Sequence, residues 1–592
     1  MRRIIALVAI GLVVIGMGVL WLLIPQLTGD NDTTTTTSPS STQVAPQATS
    51  STTTTTSPAP VQTGGSVSFG VVGEPLSLNP LLIGGNAPPV ETLSELWTIG
   101  LMGLDPKTQD PVPEAANAVP SLTNGGLRVN DDGTMTVRYD LNPDARWENG
   151  EAITGFDVAF TYGLMLDPSL PIRPDLRTLH SLILPESIEA SSTSITMTLE
   201  RPTIRFLSLF PVLVPASQIE ETDFGQDWNQ QTWMSAGPFR FASWDAGRAV
   251  RFVRNDRYPI VDDLGDRLPY LDELEIAFFS ADDALLAAFE FQTVDAALVA
   301  ADPVLLDKLE SSPSIEVQIA AGPEYEHIGF EYGPRRFEAN PGSMNESVAF
   351  REFLARSLDR KTIVSEVFAG RVSVLDTVVG MSWPAASASG WAEYSVDESL
   401  QDRLLAEAVS DLGRDEAVVI FSTTTSVERT QIAGLVLGRL STAGVSVDVD
   451  LREVGEFFRD KILPGVFDVG EWAWRASPGP VGAVSDLEDR FLALPEDGGY
   501  NFYRWGAGDS VASAAADDLK ERIAGLDGIL DLEVLRAELT AIDALLAEDM
   551  VLLPLFAAPN AAAAWSTAFE GLDHVAAFPA TWNAALWHRI GG

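Results

Sequence analysis

The chain has 592 residues, enough for two or three domains, and its 38 Lys plus Arg against 83 Asp plus Glu leave a formal net charge of −45. A polyanion does not associate with a second polyanion, so this composition argues against nucleic-acid binding and fits a soluble head outside the cell. The chain contains no cysteine, which excludes disulfides, thiolate metal sites, cysteine nucleophiles and a lipid-modified cysteine.

An apolar segment begins the chain. Arg2 and Arg3 precede an uncharged run from Ile4 to Ile24, which as a helix would reach roughly 30 Å, the thickness of the bilayer core. The paired arginines favour a cytoplasmic N-terminus. A cleaved signal peptide is the alternative, but it usually has a shorter apolar run followed by a small-x-small site, and no such site follows here. We therefore predict an uncleaved transmembrane anchor over residues 1–27.

The next segment has a composition that cannot form a core. Residues 28–65 are almost entirely Thr, Ser, Pro, Gln and Ala, with two runs of five threonines. We predict a disordered stalk that holds a folded head away from the membrane. The head is expected to begin at Ser66, because Val67, Phe69 and Val71 alternate in the pattern of a strand.

Two local patterns predict further elements of the head. Leu127–Tyr139 alternates on both sides of the dipeptide Asp132-Gly133, which predicts a β-hairpin with its turn at that dipeptide. Further along, four apolar residues follow helical spacing, and this helix is expected to run on towards Gly370. The four residues are Phe350, Phe353, Leu354 and Leu358.

The clearest unit lies between residues 417 and 451. Residues 417–421 are a continuous apolar run typical of a buried strand, and Thr425-x-x-Glu428 predicts a capping box at the start of a helix that ends at Gly444. Alternating apolar residues then predict the next strand. A strand–helix–strand unit requires parallel pairing, so we expect an α/β sheet. The helix face and the second strand are formed by Ile432, Leu435, Val436, Leu440, Val445, Val447, Val449 and Leu451.

A further strand is predicted over residues 467–474, followed by a Gly/Pro-rich loop over Ser477–Pro480. Ligands of such sheets bind at the carboxyl ends of strands, which places Trp474 and the loop beside a crevice. From the alternation of strand side chains we expect one of Trp472 and Trp474 to lie in the core and only the other to face the cleft.

Motifs of the common enzyme classes are missing from the sequence. It contains no Gly-x-Ser-x-Gly, Walker-type loop, Gly-x-Gly-x-x-Gly or His-Glu-x-x-His motif, and we predict no catalytic residue, no cofactor and no metal. Asp140-x-Asn142-x-Asp144 imitates a calcium loop, but Ala145 stands where the sharp turn needs glycine, so we interpret it as a surface loop. The four histidines are far apart in sequence and are interpreted as structural: His180, His327, His574 and His588.

From Ser66 to the end, many short segments occur in an order that resembles one family. They are Leu78-Asn79-Pro80, Leu101–Pro106, Val112-Pro113-Glu114, Asn130–Gly150, Ile153–Val158, Ala236–Phe241, Arg254–Tyr258, Pro269–Glu273, Ala349–Arg360, Glu548-Asp549 and Leu553-Pro554-Leu555. Taken together, this order is similar to family 5 of the extracellular solute-binding proteins, the dipeptide-, oligopeptide- and nickel-binding components of ABC importers.

The resemblance implies an α/β, two-lobed fold like that of periplasmic binding proteins, of the hinge-closing type II, with an extra subdomain on lobe I. The implied ranges are 66–104, 235–322 and a C-terminal return over 551–592 for lobe I, 105–234 for the extra subdomain, and 323–550 for lobe II.

The sequence departs from the family pattern where peptide-binding members hold the ammonium group of the ligand. Those members commonly carry a tryptophan followed within a few residues by an aspartate, whereas Arg475 or Ser477 occupies that place here. The family asparagine after Gly-Phe is replaced by Glu331. An arginine suits a carboxylate or phosphate, so ordinary free-amine peptides are expected to bind poorly and an anionic, N-blocked or glycan-like solute better. The alternative is that Arg475 only pairs with one of the many surface carboxylates. The candidate ligand-binding residues are Trp472, Trp474, Arg475, Ser477, Asn79, Asn501 and Tyr503.

The resemblance therefore predicts the extracytoplasmic solute-binding component of an ABC transporter. Its partners would be a small, peptide-like or other solute, the permease and ATPase subunits, and the membrane through the N-terminal helix. One alternative is a surface-anchored sensor or scaffold that has a solute-binding head and no transport role. A second alternative is an anchored glycosidase, since carboxylates are abundant, but no catalytic motif favours it.

Overall fold

The computed structural model describes residues 61–332, 344–507, 514–575 and 577–590, with side chains from residue 516 onwards in the third range. The predicted anchor (1–27) and residues 28–60 of the predicted stalk lie outside this part of the chain. Within the described ranges, no helix combines the length and the apolar character needed to cross a membrane. Gly64 already belongs to the folded head, because its N–H donates to the Tyr270 carbonyl at 2.7 Å.

The strands, numbered in chain order, are β1 Ser66–Val72, β2 Met102–Leu104, β3 Pro111–Pro113, β4 Leu127–Val129, β5 Met135–Asp140, β6 Glu189–Ala190, β7 Ser194–Leu199, β8 Phe239–Asp245, β9 Ala249–Arg254, β10 Glu273–Phe279, β11 Ala296–Val299, β12 Ile315–Phe330, β13 Val418–Thr424, β14 Ser446–Arg452, β15 Val469–Arg475, β16 Leu552–Trp565, β17 Phe569–Glu570 and β18 His588–Arg589.

The α-helices are α1 Pro88–Ser94, α2 Gly155–Leu166, α3 Pro174–His180, α4 Ala216–Ile219, α5 Asp282–Glu290, α6 Pro303–Glu310, α7 Val348–Ser357, α8 Arg360–Phe368, α9 Glu398–Asp411, α10 Val427–Thr442, α11 Val454–Phe457, α12 Gly479–Phe491, α13 Ala514–Gly525 and α14 Leu532–Glu548. Shorter 3-10 and π turns are Pro185–Ser187, Ile204–Ser208, Met344–Glu346, Val379–Met381, Pro384–Ala386, Gly390–Glu393, Phe458–Ile462, Pro495–Asp497, Leu526–Gly528 and Ala584–Leu586.

A ten-stranded mixed sheet organises the head, in the order β14-β13-β15-β12-β16-β11-β1-β10-β9-β8. At one end, β1 pairs in parallel with both β10 and β11, and we call this group with β8 and β9 lobe I. At the other end, β13 pairs in parallel with both β14 and β15, and this group with its helices is lobe II. The alternating apolar residues Val67, Phe69 and Val71 are buried, as the strand pattern requires.

Two long antiparallel strands, β12 and β16, run through both groups. Their pairing extends from Ile315 opposite Trp565 to Gly329 opposite Leu552, with register shifts between Ala321 and Tyr325 and between Glu326 and His327. A bulge leaves backbone groups of one strand unpaired and bends it locally. The first shift lies where β12 begins to pair with β15 of lobe II.

A separate four-stranded sheet, in the order β4-β5-β7-β6, lies within residues 105–234. Its β4–β5 hairpin turns at Asp132-Gly133, where Gly133 has a φ of +85°, so this prediction is confirmed. We call the whole segment 105–234 the extra subdomain.

The strand–helix–strand unit of lobe II is also confirmed, with β13 and β14 parallel on either side of α10. The predicted capping box at Thr425 is wrong by one residue: Ser426 is the N-cap, and its Oγ accepts from the N–H of Arg429. The Thr425 hydroxyl instead donates to Glu453, the residue after β14, at 2.9 Å.

Two other boundaries differ from the sequence patterns. The helix predicted to run towards Gly370 is broken into α7 and α8, because Leu358 is extended and Asp359 caps the second helix by accepting from the N–H of Thr362. The predicted loop Ser477–Pro480 is shorter than expected, because α12 begins at Gly479 with Pro480 in its first turn, where a missing N–H costs nothing.

Candidate functional site

A cleft lies between the two lobes, where the loop after β15 faces α1 and the C-terminal tail. Its outer part is a cavity of about 640 Å³. Trp474, Arg475 and Ser477 line it from lobe II. Glu91, in α1, and Glu95, the first residue after α1, line the opposite side. Its inner part is a cavity of about 340 Å³ beside β12 and β16. The two cavities share Glu91, Pro323, Arg475, Ala577, Phe578 and Pro579, so we treat them as one cleft.

The indole of Trp474 forms a fixed aromatic wall of this cleft. Its Nε1–H donates to the Tyr503 hydroxyl at 2.8 Å, and its ring stacks on Phe502 with centroids 5.1 Å apart and an interplanar angle of 14°. The guanidinium of Arg490 lies 5.4 Å from the ring centroid, close enough for a cation–π interaction. These contacts fix the orientation of the ring before any solute arrives.

Tyr503 supports Trp474 from inside the core. It is fully buried, and its hydroxyl also lies 2.8 Å from Nε2 of His327. Burial, reinforced by the charges of Arg490 and Arg429, lowers the pKa of His327 well below its usual value. His327 is therefore neutral, and its Nε2 accepts from the Tyr503 hydroxyl, which in turn accepts from Trp474. Of the predicted site residues, Tyr503 is thus placed behind the cleft wall and not on it.

Trp472 is fully buried, whereas Trp474 is half-buried and lines the cavity. Alternation is the wrong reason for this difference, because side chains two residues apart on a strand share a face. Both rings contact His327, and their centroids are 6.4 Å apart. What separates them is position along β15: Trp474 lies near the strand end, where the sheet meets the cleft.

The loop that follows β15 is held by a buried ion pair. Asp486 of α12 accepts from the N–H of Ser477 at 2.9 Å and from its hydroxyl at 3.0 Å, and it pairs with Arg490 at 3.0 Å. Arg490 also donates to the carbonyl of Arg475 at 2.6 Å. The backbone under Arg475 and Ser477 is therefore fixed, although both side chains are exposed at the cleft.

Charges of both signs face the cleft. The side chain of Arg475 is 56% exposed and lies 3.8 Å from Glu324. Burial raises the pKa of Glu91, and the charges of Arg475 and Arg173 oppose that shift. Desolvation by the surrounding protein, together with the carboxylates of Glu114 and Glu91, raises the pKa of Glu95 to about 7, although the side chain is open to the cleft.

Asn79 and Asn501 do not reach the cleft cavities. Both are buried and bonded locally: Asn79 Oδ1 accepts from the N–H of Leu81 at 3.1 Å, and Asn501 donates to the carbonyls of Phe491 and Trp505 at 3.0 and 2.9 Å. Oδ1 of Asn79 and the amide of Asn501 close local turns, and neither side chain lines the cleft.

Several cleft residues were not predicted from the sequence. Glu91, Glu95, Tyr500, His574 and Phe578 line the cavities but belong to segments without a binding motif. Pro88-Pro89 is typical of a helix start and could have predicted α1, but not its place at the cleft. Among the described residues, no group of three or more His, Cys, Asp or Glu is placed to hold a metal ion.

Residues 111–487, well over half of the chain, match the family described as bacterial extracellular solute-binding proteins, family 5 Middle. The chain belongs to this family, and the predicted resemblance is confirmed. The oligopeptide-binding protein OppA of Mycobacterium tuberculosis (strain ATCC 25618 / H37Rv) is 24% identical over 567 residues, which cover 89% of this chain and 86% of the relative. The peptidoglycan-binding protein YepA of Agrobacterium fabrum is 25% identical over 245 residues, covering 40% of this chain and 38% of the relative.

Two solved structures of binding proteins share the fold. The periplasmic EDTA-binding protein EppA superimposes with a TM-score of 0.67 at 19% identity, covering 92% of this chain and 100% of its own. NikA from Brucella suis in complex with Fe(III)-EDTA gives a TM-score of 0.65 at 18% identity, covering 89% and 100%. The two-lobed α/β fold of a periplasmic binding protein is thus confirmed for the head.

Proposed function

We propose that this protein is the extracytoplasmic solute-binding component of an ABC transporter, which captures a small solute between its lobes and delivers it to a membrane permease. The observation that carries this proposal is the cleft itself. It is lined from both lobes and has one aromatic wall, Trp474, whose orientation is fixed by Tyr503, Phe502 and Arg490. Such a preformed wall lowers the cost of ordering on binding.

The proposed solute is peptide-like. The family relative OppA is named for oligopeptide binding, and the cleft offers groups that suit both ends of a zwitterion. Arg475 suits a carboxylate, whereas Glu91 and Glu95 face it with groups that suit an ammonium. The two glutamates change the prediction made from Arg475 alone. An anionic solute without a positive group would leave their carboxylates without a partner.

Binding is proposed to proceed by hinge closure and without turnover. A solute that contacts both walls has a higher affinity for the closed arrangement and shifts the population towards it. The register shift between Ala321 and Tyr325 in β12 is the proposed hinge, since it lies where the strand passes from lobe I to lobe II. We keep the predicted domain ranges, 66–104, 105–234, 235–322, 323–550 and 551–592, as part of this proposal.

The proposed location is the outer face of the cell membrane. The apolar run from Ile4 to Ile24 supports a single-pass anchor over residues 1–27, and the composition of residues 28–63 supports a stalk between it and the head, to which Gly64 already belongs. The permease and ATPase subunits of a transporter are the proposed partners.

Native mass spectrometry of the purified full-length protein tests this function. We expect a co-purifying small solute on the wild type, and its loss from Trp474→Ala but not from the control Phe291→Ala, whose ring is 82% exposed and does not line the cleft. A solute that both variants retain equally, or a protein that binds no solute from peptide mixtures, would contradict the proposal.

A further inference from the structure

The inner part of the cleft contains a histidine whose polar atoms are unused. His574 lies in the C-terminal tail, lines the 340 Å³ cavity and is 8% exposed. Within the described part of the chain, neither of its ring nitrogens makes a hydrogen bond of good geometry, and the nearest polar backbone group is that of Asn560. It shares the cavity with Glu91, Arg475 and Asn560, which come from lobe I, lobe II and the crossing strand β16.

The other buried histidines show what a structural imidazole looks like in this protein. Nδ1 of His180 lies 2.7 Å from the carbonyl oxygen of Leu176, and Nε2 of the same ring accepts from the N–H of Phe210 at 3.2 Å. His327 is bonded through Nε2 to Tyr503, and among the described residues only its Nδ1 has no partner. Buried polar groups are almost always paired, so an imidazole with two unpaired nitrogens at a cavity wall calls for a partner inside the cavity.

The backbone holds His574 in place independently of its ring. Its N–H donates to Oε1 of Gln318 on β12 at 2.7 Å, and the same glutamine donates to the carbonyl of Leu572 at 2.9 Å. The ring is therefore held at the inner cavity by the crossing strand and not by any bond of its own. This arrangement leaves both nitrogens available without loosening the tail.

The charge state of the ring follows from its surroundings. Burial lowers the pKa of His574, while the backbone of Asn560 and the charge of Asp573 oppose that shift. A neutral imidazole has one N–H donor and one acceptor nitrogen. It therefore matches a neutral group that carries both an acceptor and a donor, and an amide is such a group.

We propose that His574 is a solute-contacting, specificity-determining residue, and that the inner pocket takes an amide or similar uncharged hydrogen-bonding group of the solute. This inference rests on the proposed function of the cleft and adds a contact from the C-terminal tail. Glu91 and Arg475 in the same cavity engage the charged groups on either side of that amide.

Isothermal titration of the full-length protein with tetra-alanine tests the inference. His574→Leu removes donor and acceptor, and we expect its Kd to rise by about tenfold or more, the scale of a lost hydrogen bond to a buried group. His574→Gln keeps a donor and an acceptor and should stay closer to the wild type. The matched control His588→Leu, at a ring that pairs with Glu570 at 3.6 Å outside the cleft, should bind as the wild type does.

A second measurement separates contact from a structural role. In protein labelled with 15N at histidine, tetra-alanine should shift the ring signals of His574 and leave those of His588 unchanged. Unchanged His574 signals, or a wild-type Kd for His574→Leu, would overturn the inference while leaving the proposed function in place. Failure of the wild type to bind tetra-alanine would overturn the inference together with the peptide-like solute on which it rests.

Discussion

Asp527→Ala removes the carboxylate at the centre of a contact between the extra subdomain and lobe II. Asp527 is 4% exposed, accepts from the Thr203 hydroxyl at 2.8 Å and pairs with Arg205 Nε at 3.1 Å and with Arg201. Arg205 also pairs with Glu488 at 2.5 Å. All three partners of Asp527 belong to the extra subdomain, whereas Asp527 belongs to lobe II. The substitution therefore tests the contact between these two parts of the head and not one within lobe II.

The magnitude follows from how far the partners are buried. Breaking a fully buried pair costs about 3–5 kcal/mol, whereas an exposed pair is worth about 0–1 kcal/mol. Arg201 and Arg205 are 47% and 26% exposed at the side chain, so water can solvate both after the substitution. Thr203 is fully buried and loses its acceptor. We expect the free energy of unfolding to fall by about 2 kcal/mol.

Urea unfolding followed by tryptophan fluorescence measures the loss, and small-angle scattering of the folded variant measures whether the lobes separate. The control Asp245→Asn alters a pair with Arg248 at 3.3 Å in which both side chains are 65% exposed, and it should change stability by less than about 0.5 kcal/mol. An Asp527→Ala protein with wild-type stability and an unchanged radius would refute the reasoning, because it would show that this contact holds nothing together.

Three further predictions concern the cleft and one buried histidine. Trp474→Ala should weaken solute binding by about 2 kcal/mol, the scale of a buried aromatic anchor. Arg475→Ala should weaken a carboxylate-bearing solute by about 1.5 kcal/mol, with little effect on its amidated form. Burial lowers the pKa of His180 from 6.5 to about 4, so the stabilisation it gives above pH 6.5 is lost as the pH falls towards 4, at about 1.4 kcal/mol per pH unit. His180→Gln should flatten that part of the stability profile.

Each of these predictions has a direct check. Titration calorimetry on Trp474→Ala and Arg475→Ala gives the affinities, with Arg403→Ala as the matched control, since Arg403 is 64% exposed and 4.0 Å from Glu407. If the wild type binds the acid and the amide with equal affinity, and Arg475→Ala does the same, then Arg475 does not recognise the carboxylate. An unfolding profile of His180→Gln parallel to the wild type between pH 6.5 and 4 would contradict the titration argument.

Local patterns predicted the elements that depend on neighbouring residues. The β4–β5 hairpin follows from Asp132-Gly133 and alternation, and the β13–α10–β14 unit follows from a change of period between residues 417 and 451. The cap of α10 was missed by one residue because Thr425 and Ser426 are both good caps. In the structure the Thr425 hydroxyl donates to Glu453, and Ser426 is the N-cap.

The cleft could be predicted only on one side. Trp474 and the loop after it were found because they lie at the carboxyl end of a predicted strand, where ligands of α/β sheets bind. The facing wall comes from Glu91 and Glu95, near the start of the head, and from Phe578, near the end of the chain. No spacing rule brings together segments that are hundreds of residues apart. His574 was interpreted as structural for the same reason, since its environment exists only in the folded tail.

Small-angle scattering of the full-length protein, with and without the solute identified by native mass spectrometry, tests capture between the lobes most directly. The account predicts a smaller radius of gyration with solute bound, because Trp474 on lobe II and Glu91 on lobe I contact the same molecule and closing the hinge near Ala321 brings them together. A solute that binds tightly and leaves the radius unchanged, in the wild type and in Trp474→Ala alike, would contradict it.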